Sequence, residues 1–431
     1  MAYRNAHIHP VLRLIYALLR IISWAGIYVF YRRRLVLGRE NLRFDGPAIV
    51  VSNHPSTLMD PLNVGINIRQ VMFFLANYSL FKNPLGSWLL SRLYCIPVKR
   101  KEDVSEGEAR DNDAAFEKSF QHLEKNGVLF IAAEGVSWMN RFVRPFKTGA
   151  ARIAFGSERR NQWQLGVKII PVGVTYDAPR LFRSRTTVEY GQAIDPSPWA
   201  VAEEQDHENA VNDFTAELRN RVQALTFNSG GEAGDSFVNQ TETLFRNAQL
   251  GFSETEKHLV LKRFFSKNLQ NEGLRSKIAG YFKSLDKAGI SDIGLSKPKG
   301  TIILPVLLLP FFLLGYSFWF LPCWLPWLLC KRMNLYPGYD SNIKVLSGLF
   351  VFPLALWGGW ELAYWVLGSK VEAWASLALL VICGYLAELF MDHVAQWQAW
   401  RVAQAFKRQD PYEWDLLIQA RTEILKEVVS A

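Results

Sequence analysis

The chain of 431 residues has 49 Lys and Arg against 40 Asp and Glu, and 49% of its residues are apolar. This composition excludes general disorder, and four cysteines without paired metal-ligand spacing argue against a disulfide scaffold or a zinc module. The net charge of +9 suits an anionic partner, and 15 Trp, 15 Tyr and 28 Phe are typical of a chain at a membrane–water boundary. We therefore predict a membrane-associated protein with a sizeable soluble part.

The first segment, residues 1–40, combines an apolar stretch with seven arginines and a single acid. Within the apolar residues 11–30, Arg13 and Arg20 lie seven residues apart, on one helical face. Neither the uninterrupted apolar core nor the cleavage site of a signal peptide is present in the sequence. A charge near the middle of a spanning helix costs a few kcal/mol. We therefore predict a basic amphipathic membrane anchor that lies in the interface, in preference to a span, with its arginine cluster on anionic headgroups.

Between residues 41 and 196, short β-branched runs alternate with stretches of helical spacing, which indicates an α/β domain with layers on both faces of a sheet. The predicted strands cover residues 48–51, 71–75, 128–131 and 169–174, and the predicted helices cover 111–125 and 149–160.

Residues 197–300 are polar and helical in pattern, with apolar side chains at helical spacing between Val211 and Val222. The stretch Ser229-Gly230-Gly231 is typical of a linker. We expect the helices of this region to pack on the α/β domain or to lie beneath it on the membrane.

Three apolar segments follow. Residues 302–330 contain no charged residue in 29 positions. The segments 345–367 and 373–391 each contain one charged residue, Glu361 and Glu388 respectively. All three are predicted membrane segments. The first is too long for one simple span and too short for two, and its prolines are expected to bend it.

Basic residues flank these segments, and cytoplasmic loops carry an excess of Lys and Arg. If all three flanks are cytoplasmic, the first segment is a re-entrant hairpin and the other two form a spanning hairpin around residues 369–372. This arrangement predicts membrane hairpins over 301–395, a cytoplasmic helical tail over 396–431 and a catalytic domain on the cytoplasmic side. A three-span alternative places either the 331–344 loop or the tail outside. The flanking residues are Lys297, Lys299, Lys331, Arg332, Lys344, Arg401, Lys407 and Arg408.

The strongest chemical signal is Asn-His-Pro-Ser-Thr-Leu-Met-Asp-Pro at residues 53–61, directly after a predicted strand. Ser56 is a natural helix N-cap, which would place Asp60 one turn inside a helix with His54 just before it. A carboxylate there can fix the imidazole tautomer and stabilise the imidazolium when the ring takes a proton. The pattern predicts a His54–Asp60 general base that needs no Ser or Cys nucleophile.

This block resembles that of the phospholipid/glycerol acyltransferase family, which includes glycerol-3-phosphate and lysophosphatidate acyltransferases. The family has an Asn-His-x-x-x-x-Asp block after a strand, followed by three further blocks in a fixed order. Five residues, rather than four, separate His54 from Asp60 here. The resemblance covers about residues 40–195 and implies an α/β fold with an acyltransferase-type mixed sheet flanked by helices, joined here to an N-terminal interfacial helix and C-terminal transmembrane helices.

Residues 94–100 resemble the second block, in which the family's Arg is associated with binding the acceptor's phosphate, so the resemblance assigns that role to Arg100. Residues 130–137 resemble the third block. Glu134 and Gly135 are retained, Ala133 stands where the family has Pro, and no Arg directly follows. Gly135 would allow a close backbone approach, and the Glu134 carboxylate would bind acceptor hydroxyls.

The missing Arg shifts the expected phosphate contacts to Arg100, Arg141, Arg144 or Lys147. Residues 146–151 match a common family continuation, and the helix start there, with Lys147, is a candidate anion site. Residues 170–174 resemble the fourth block and are predicted to be mainly structural.

The resemblance implies a membrane-bound O-acyltransferase of phospholipid biosynthesis. It would move a fatty acyl group from acyl-CoA or acyl carrier protein to glycerol-3-phosphate or a lysophosphatidate-type acceptor, and both acceptors stay open. Membrane lipids and the acyl carrier are the expected partners, with no nucleic acid, no metal and no cofactor beyond the acyl co-substrate. The alternative is a non-catalytic lipid-binding or lipid-transport protein on an acyltransferase-like domain, in which Glu361 and Glu388 would be transport residues.

Overall fold

The computed structural model of the chain describes residues 8–84, 87–88, 90, 94–100, 112–296 and 303–430. Lys297, Lys299, the first seven residues of the predicted anchor and the segment ends at Asp111 and Ile302 lie outside the described residues. The chain divides into two compact units. The first comprises Met1–Asn228 and Tyr336–Asn342, and the second comprises Ser229–Leu335 and Ile343–Ala431.

Among the described residues, the first unit contains a seven-stranded sheet in the order β1-β7-β6-β2-β5-β3-β4. Strands β2 to β6 run parallel to one another, whereas β7 is antiparallel to β6 and pairs in parallel with β1. This mixed sheet confirms the predicted fold class. Its strands are β1 (Tyr31–Leu37), β2 (Ala48–Ser52), β3 (Met72–Asn77), β4 (Cys95–Val98), β5 (Val128–Ala132), β6 (Lys168–Tyr176) and β7 (Ser184–Tyr190).

Strand β2 lies between β5 and β6, and all five of its residues are buried. A central parallel strand is covered on both faces, which explains why residues 48–51 are all apolar. Because β2, β5 and β6 run in parallel, their carboxyl ends meet at one edge of the sheet. The residues that follow these strands are therefore brought together there.

Helices flank the sheet. The predicted apolar face of α6 is confirmed, since Val211, Phe214, Leu218 and Val222 are buried in the same core as the sheet residues. The helices of this unit are α1 (Pro10–Phe30), α2 (Met59–Gly65), α3 (Asp113–Glu124), α4 (Gly149–Arg160), α5 (Ala200–Gln205) and α6 (His207–Gln223).

The arginine cluster that follows α1, which the sequence predicts to contact anionic headgroups, belongs to the edge strand β1. Alternation along a strand turns Arg34 inward, where its guanidinium donates to Asn63 Oδ1 at 3.2 Å and to the Asn63 carbonyl at 2.6 Å. Part of the cluster therefore stabilises the first unit instead of facing headgroups.

The second unit is helical. A buried carboxylate at Asp292 accepts hydrogen bonds from Tyr281 at 2.5 Å, Arg421 at 2.9 Å and Asn247 at 2.9 Å, and so joins three of its helices. Its helices are α7 (Glu232–Asn247), α8 (Glu254–Asn268), α9 (Glu272–Ala288), α10 (Ile303–Met333), α11 (Asp340–Leu367, whose first turn lies in the first unit), α12 (Lys370–Gln409) and α13 (Pro411–Ser430).

By length and composition, four helices of the described chain are able to cross a membrane, namely α1, α10, α11 with its preceding turn and α12. The re-entrant hairpin predicted within 302–330 is wrong for the described residues, because α10 continues as one helix through Pro310, Pro322 and Pro326. A helix in an apolar environment tolerates proline when neighbouring groups satisfy the freed carbonyls. The predicted turn between the next two segments is present, with Ser369 as the N-cap of α12. The predicted boundary at 395 falls inside α12.

Candidate active site

The backbone at His54 is fixed on both sides by partners from other parts of the chain. Its N–H donates to Glu134 Oε1 at 2.8 Å, and its carbonyl accepts from the Trp138 N–H at 3.1 Å. The preceding residue, Asn53, pairs its side-chain amide with the backbone of Val174 in both directions, at 2.8 Å each. Asn53 thus continues the pairing of β2 with β6 by one residue, which holds His54 at the edge of the sheet.

Three donors surround the Asp60 carboxylate. Oδ2 lies 2.9 Å from His54 Nδ1 and accepts from the Ser56 N–H at 2.8 Å, and Oδ1 accepts from the Tyr176 hydroxyl at 2.8 Å. Burial, followed by the charge of Asp60, raises the pKa of Tyr176 well above its usual value, so this hydroxyl keeps its proton and donates. Asp60 is fully buried, whereas 15% of the His54 side chain is exposed. The predicted contact between the two residues is present.

Ser56 is not the helix N-cap that the sequence predicts. Helix α2 begins at Met59, and Ser56 supplies its backbone N–H to Asp60 instead. The loop turns at Thr57, whose φ of 42° lies in the left-handed region. After this turn, Asp60 Oδ2 lies 2.9 Å from His54 Nδ1.

The loops that carry His54 and Glu134 also lie within a match to a known family. The acyltransferase family model matches residues 33–175. Residues 33–175 form an acyltransferase-family domain.

Glycerol-3-phosphate O-acyltransferase 1 of Saccharomyces cerevisiae is 31% identical over 119 residues, which cover 27% of this chain and 16% of the yeast protein. The chloroplastic 1-acyl-sn-glycerol-3-phosphate acyltransferase BAT2 of Brassica napus is 28% identical over 152 residues, 35% of this chain and 39% of that protein. Each match therefore spans well under half of the relative. The crystal structure of the 1-acyl-sn-glycerophosphate (LPA) acyltransferase PlsC from Thermotoga maritima has a TM-score of 0.34 and 21% identity, and covers 48% of this chain and 81% of that chain.

In the acyltransferase domain, Glu134 holds the backbone of the site. Its side chain is buried, Oε1 accepts from the His54 N–H, and Oε2 accepts from the Arg144 N–H at 3.3 Å. The predicted role of this carboxylate is to bind acceptor hydroxyls, but both of its oxygens accept hydrogen bonds from the protein backbone. Gly135 follows in the left-handed conformation at φ 73°, where a Cβ would lie 3.3 Å from Lys147 Cγ.

Burial raises the pKa of Glu134 to about 7, against the opposing effect of its two backbone hydrogen bonds. A carboxyl whose pKa is higher in the folded state than in the unfolded state stabilises the fold fully at low pH and loses that contribution as pH rises through the folded pKa. We expect the thermal stability advantage of the wild type over Glu134→Gln to shrink between about pH 4.5 and 7. Thermal unfolding of both proteins in one detergent across this range measures it, and an advantage that grows with pH would contradict the assignment.

Of the predicted phosphate-binding residues, Arg144 and Lys147 are close in the structure to Glu134 and its loop, whereas Arg100 lies farther from β2. Arg144 is tied to Glu134 through its backbone, and its guanidinium lies 4.0 Å from the Trp138 ring centre. Lys147 is exposed, and its N–H donates to the Ala133 carbonyl at 2.8 Å. Arg100 follows β4 at the same carboxyl-terminal end of the sheet. Strand β4 is three strands away from β2, and at about 4.8 Å per strand the two strands are on the order of 14 Å apart.

Three further residues belong to the site, although none is among the predicted site residues: Asn53, Asn63 and Tyr176. Asn63 donates to the Tyr176 hydroxyl at 3.3 Å and accepts from Arg34, so a polar chain runs from β1 through Tyr176 to Asp60. Asn53 stands beside His54 in the motif, which is a usable signal. Tyr176 lies 116 residues beyond Asp60 at the end of an apolar strand, where no sequence feature distinguishes it from a core residue.

Proposed function

We propose that the protein transfers a fatty acyl group from a thioester donor, acyl-CoA or acyl carrier protein, to a hydroxyl of glycerol-3-phosphate or a lysophosphatidate-type acceptor at a membrane. The observation that carries this proposal is the His54–Asp60 pair, in which a partly exposed imidazole contacts a fully buried carboxylate at 2.9 Å. The acyltransferase-family match of the surrounding residues supports it.

The geometry supports a direct transfer. With Nδ1 donating to Asp60, Nε2 of His54 is the nitrogen left to accept the acceptor's hydroxyl proton. The resulting oxygen nucleophile attacks the thioester carbonyl carbon, an ester C–O bond forms and the C–S bond breaks. The imidazolium then returns its proton to the thiolate. Asp60 holds the ring orientation and stabilises the imidazolium, and alignment of the two substrates contributes the rest of the acceleration.

For the acceptor's phosphate we propose Arg144 and Lys147 as the contacts closest to His54. Arg144 is the first candidate because Glu134 accepts hydrogen bonds from the backbone N–H groups of both Arg144 and His54. The Arg144 guanidinium also lies over the Trp138 ring, and the backbone N–H of Trp138 donates to the His54 carbonyl. Arg100 is proposed to bind a more distant part of the acceptor or of the donor. An arginine held on an aromatic face retains donors for a phosphate oxygen.

Exposed apolar side chains near His54 supply a surface for an acyl chain. Leu58, Val136 and Trp138 belong to the two loops that hold His54, and each is about 40% exposed. Exposed apolar clusters mark lipid or ligand contacts. Their position beside a proton-accepting imidazole suits an enzyme that acts on a fatty acyl group.

We propose that α1 lies in the membrane interface and does not cross the bilayer. Its start accepts a hydrogen bond from the Tyr94 hydroxyl at the Leu12 carbonyl, Arg20 in its middle donates to the Ile68 carbonyl at 3.2 Å, and its end at Phe30 accepts from the Arg183 N–H at 2.6 Å. A helix held to one unit along its length cannot pass through a bilayer alone. Its outer face presents Leu14, Ile21 and Trp24 for burial in lipid.

We propose that α11 and α12 span the membrane as a hairpin, with the catalytic unit on the cytoplasmic side. Lys331 and Arg332 precede Tyr336–Asn342, and Lys344 follows it, so basic residues flank a segment that belongs to the first unit. The positive-inside tendency places such a loop, and with it the catalytic unit, in the cytoplasm.

The direct test is acyl transfer by the purified full chain in detergent or vesicles. Radiolabelled acyl-CoA and acyl carrier protein thioester are each offered with glycerol-3-phosphate, lysophosphatidate and a lysolipid without a phosphate monoester. We expect a labelled product with at least one phosphate-bearing acceptor and none without acceptor. Binding of labelled acyl chains without product under every pairing would favour a non-catalytic lipid-binding protein.

A further inference from the structure

Seven residues from the C-terminal third of the chain, Tyr336–Asn342, belong to the first unit. This segment, the 336–342 connection, consists of the last residues between α10 and α11 and the first three residues of α11. It lies outside the acyltransferase-family match, which ends at residue 175. None of the four sequence blocks includes it.

The 336–342 connection contacts the loop between His54 and Asp60. Ser341 Oγ lies 3.1 Å from Ser56 Oγ, and each of these two serines is 1% exposed. The Thr57 hydroxyl donates to the Gly338 carbonyl at 3.4 Å, and the side-chain amide of Asn342 donates to the same hydroxyl. The connection therefore binds the two residues that follow His54-Pro55.

A second contact reaches the residues proposed to bind phosphate. The Tyr336 ring packs edge-to-face with Trp138 at 6.4 Å between ring centres, and the same indole lies under the Arg144 guanidinium. Asp340 forms an ion pair with Arg180 at 3.0 Å, which fixes the connection at another point of the first unit. Aromatic pairs of this geometry are attractive beyond their buried area.

The contacted loop needs such support because Thr57 has a φ of 42°. A β-branched residue is strained in the left-handed region, and strained residues persist only where their surroundings hold them. The Thr57 N–H is held by Ser137 Oγ at 2.9 Å, and its side chain by the connection. The adjacent Ser56 N–H is one of the three donors to Asp60.

We infer that the 336–342 connection completes the active site, with Ser341 and Asn342 as positioning residues that hold Ser56 and Thr57 so that Asp60 meets His54. The inference rests on the proposed acyl transfer. It makes a segment continuous with the apolar helices α10 and α11 a part of the catalytic geometry, so the acyltransferase-family domain alone is not the whole site.

The test compares Asn342→Ala and Ser341→Ala with Ser347→Ala in the purified full chain. Ser347 is a matched control because its hydroxyl bonds only to carbonyls of its own helix, Ile343 and Lys344. We expect kcat to fall about tenfold in the first two variants, with KM for both substrates within about twofold of the wild type. The control should match the wild type.

A mutant cycle and hydrogen exchange separate positioning from general stability. In a Thr57→Ala background, Asn342→Ala should lower kcat by less than about twofold further, since the two residues act together. Amide exchange in residues 54–60 should rise in Asn342→Ala and not in Ser347→Ala.

Wild-type kcat with unchanged exchange in both variants would overturn the inference. The inference would also be overturned if the loss of kcat in the variants only followed a lowered unfolding temperature and, in the double variant, added fully to the loss of kcat caused by Thr57→Ala. If the wild-type protein shows no acyl transfer with any substrate pair while the loop exchanges faster in the variants, the positioning role is supported and the proposed function is contradicted.

Discussion

Replacing His54 with Ala is expected to lower kcat for acyl transfer by about 10²- to 10⁴-fold, the usual contribution of a general base. The imidazole is the partly exposed member of the pair and, with Nδ1 on Asp60, leaves Nε2 for the acceptor's proton. The loss should appear in kcat with either acyl donor, because proton removal from the acceptor does not depend on the donor's carrier. Initial rates with the best donor and acceptor from the panel measure it.

The fold should survive this change because Glu134 and the Trp138 backbone N–H hold the backbone of His54, although the loss of one donor to Asp60 should lower the unfolding temperature. His207→Ala is a matched control in the same unit, since the His207 ring pairs with Glu203 of helix α5 and neither residue is assigned to the site. We expect it to retain wild-type kcat. Transfer by His54→Ala within about tenfold of the wild type, in protein that is folded at the assay temperature, would contradict the general-base assignment.

The sequence was sufficient to predict the parts of the fold that rest on local pattern. The run at β2 is apolar on both faces, which distinguishes a central parallel strand, and the residues after it include a paired acid and imidazole. Strand β7 escaped prediction because Ser, Arg, Thr and Glu interrupt it, although its alternate residues are buried. Strand β1 was not predicted because a cluster of arginines after an apolar helix indicates headgroup contacts. In the structure, Arg34 instead donates hydrogen bonds to Asn63 and Asn67.

The candidate site divides in the same way. The contact of His54 with Asp60 spans six residues and follows from local geometry, whereas the contact of Asp60 with Tyr176 spans 116 and that of Ser56 with Ser341 spans 285. Contacts of the second kind depend on how the strands and helices pack, which no spacing rule on a single sequence contains. For Glu134, the residue was predictable but its role was not, because burial and backbone partners become visible only in three dimensions.

The Asp60 carboxylate is also more than a partner of one histidine. Its three donors come from the His54 ring, the loop backbone and the neighbouring strand β6, which is distant in sequence, so it joins the motif to the sheet. A fully buried carboxylate is tolerated when hydrogen bonds satisfy it, and removal of one donor leaves a costly unsatisfied group. The polar chain through Tyr176 and Asn63 to Arg34 extends this support to the edge of the sheet.

We accordingly expect Asp60→Asn to lower kcat on the order of 10²-fold or more while the loop stays folded. An amide retains the shape and one acceptor for the His54 Nδ1–H, but its lost charge no longer stabilises the imidazolium that forms when the acceptor is deprotonated. Tyr176→Phe, which removes only the donor to Oδ1, should fall between the wild type and Asp60→Asn and should also lower the unfolding temperature.

The measurement is kcat and KM for the three proteins with one donor and one acceptor, together with unfolding temperature in detergent. A fall in kcat at constant KM in Asp60→Asn identifies a charge that acts in the transition state, since loss of ground-state binding would raise KM instead. An Asp60→Asn protein with wild-type kcat would show that the buried charge is structural alone. In that case His54 would have to act without the carboxylate, and the arrangement of three donors around Asp60 would serve only to join the motif to β6.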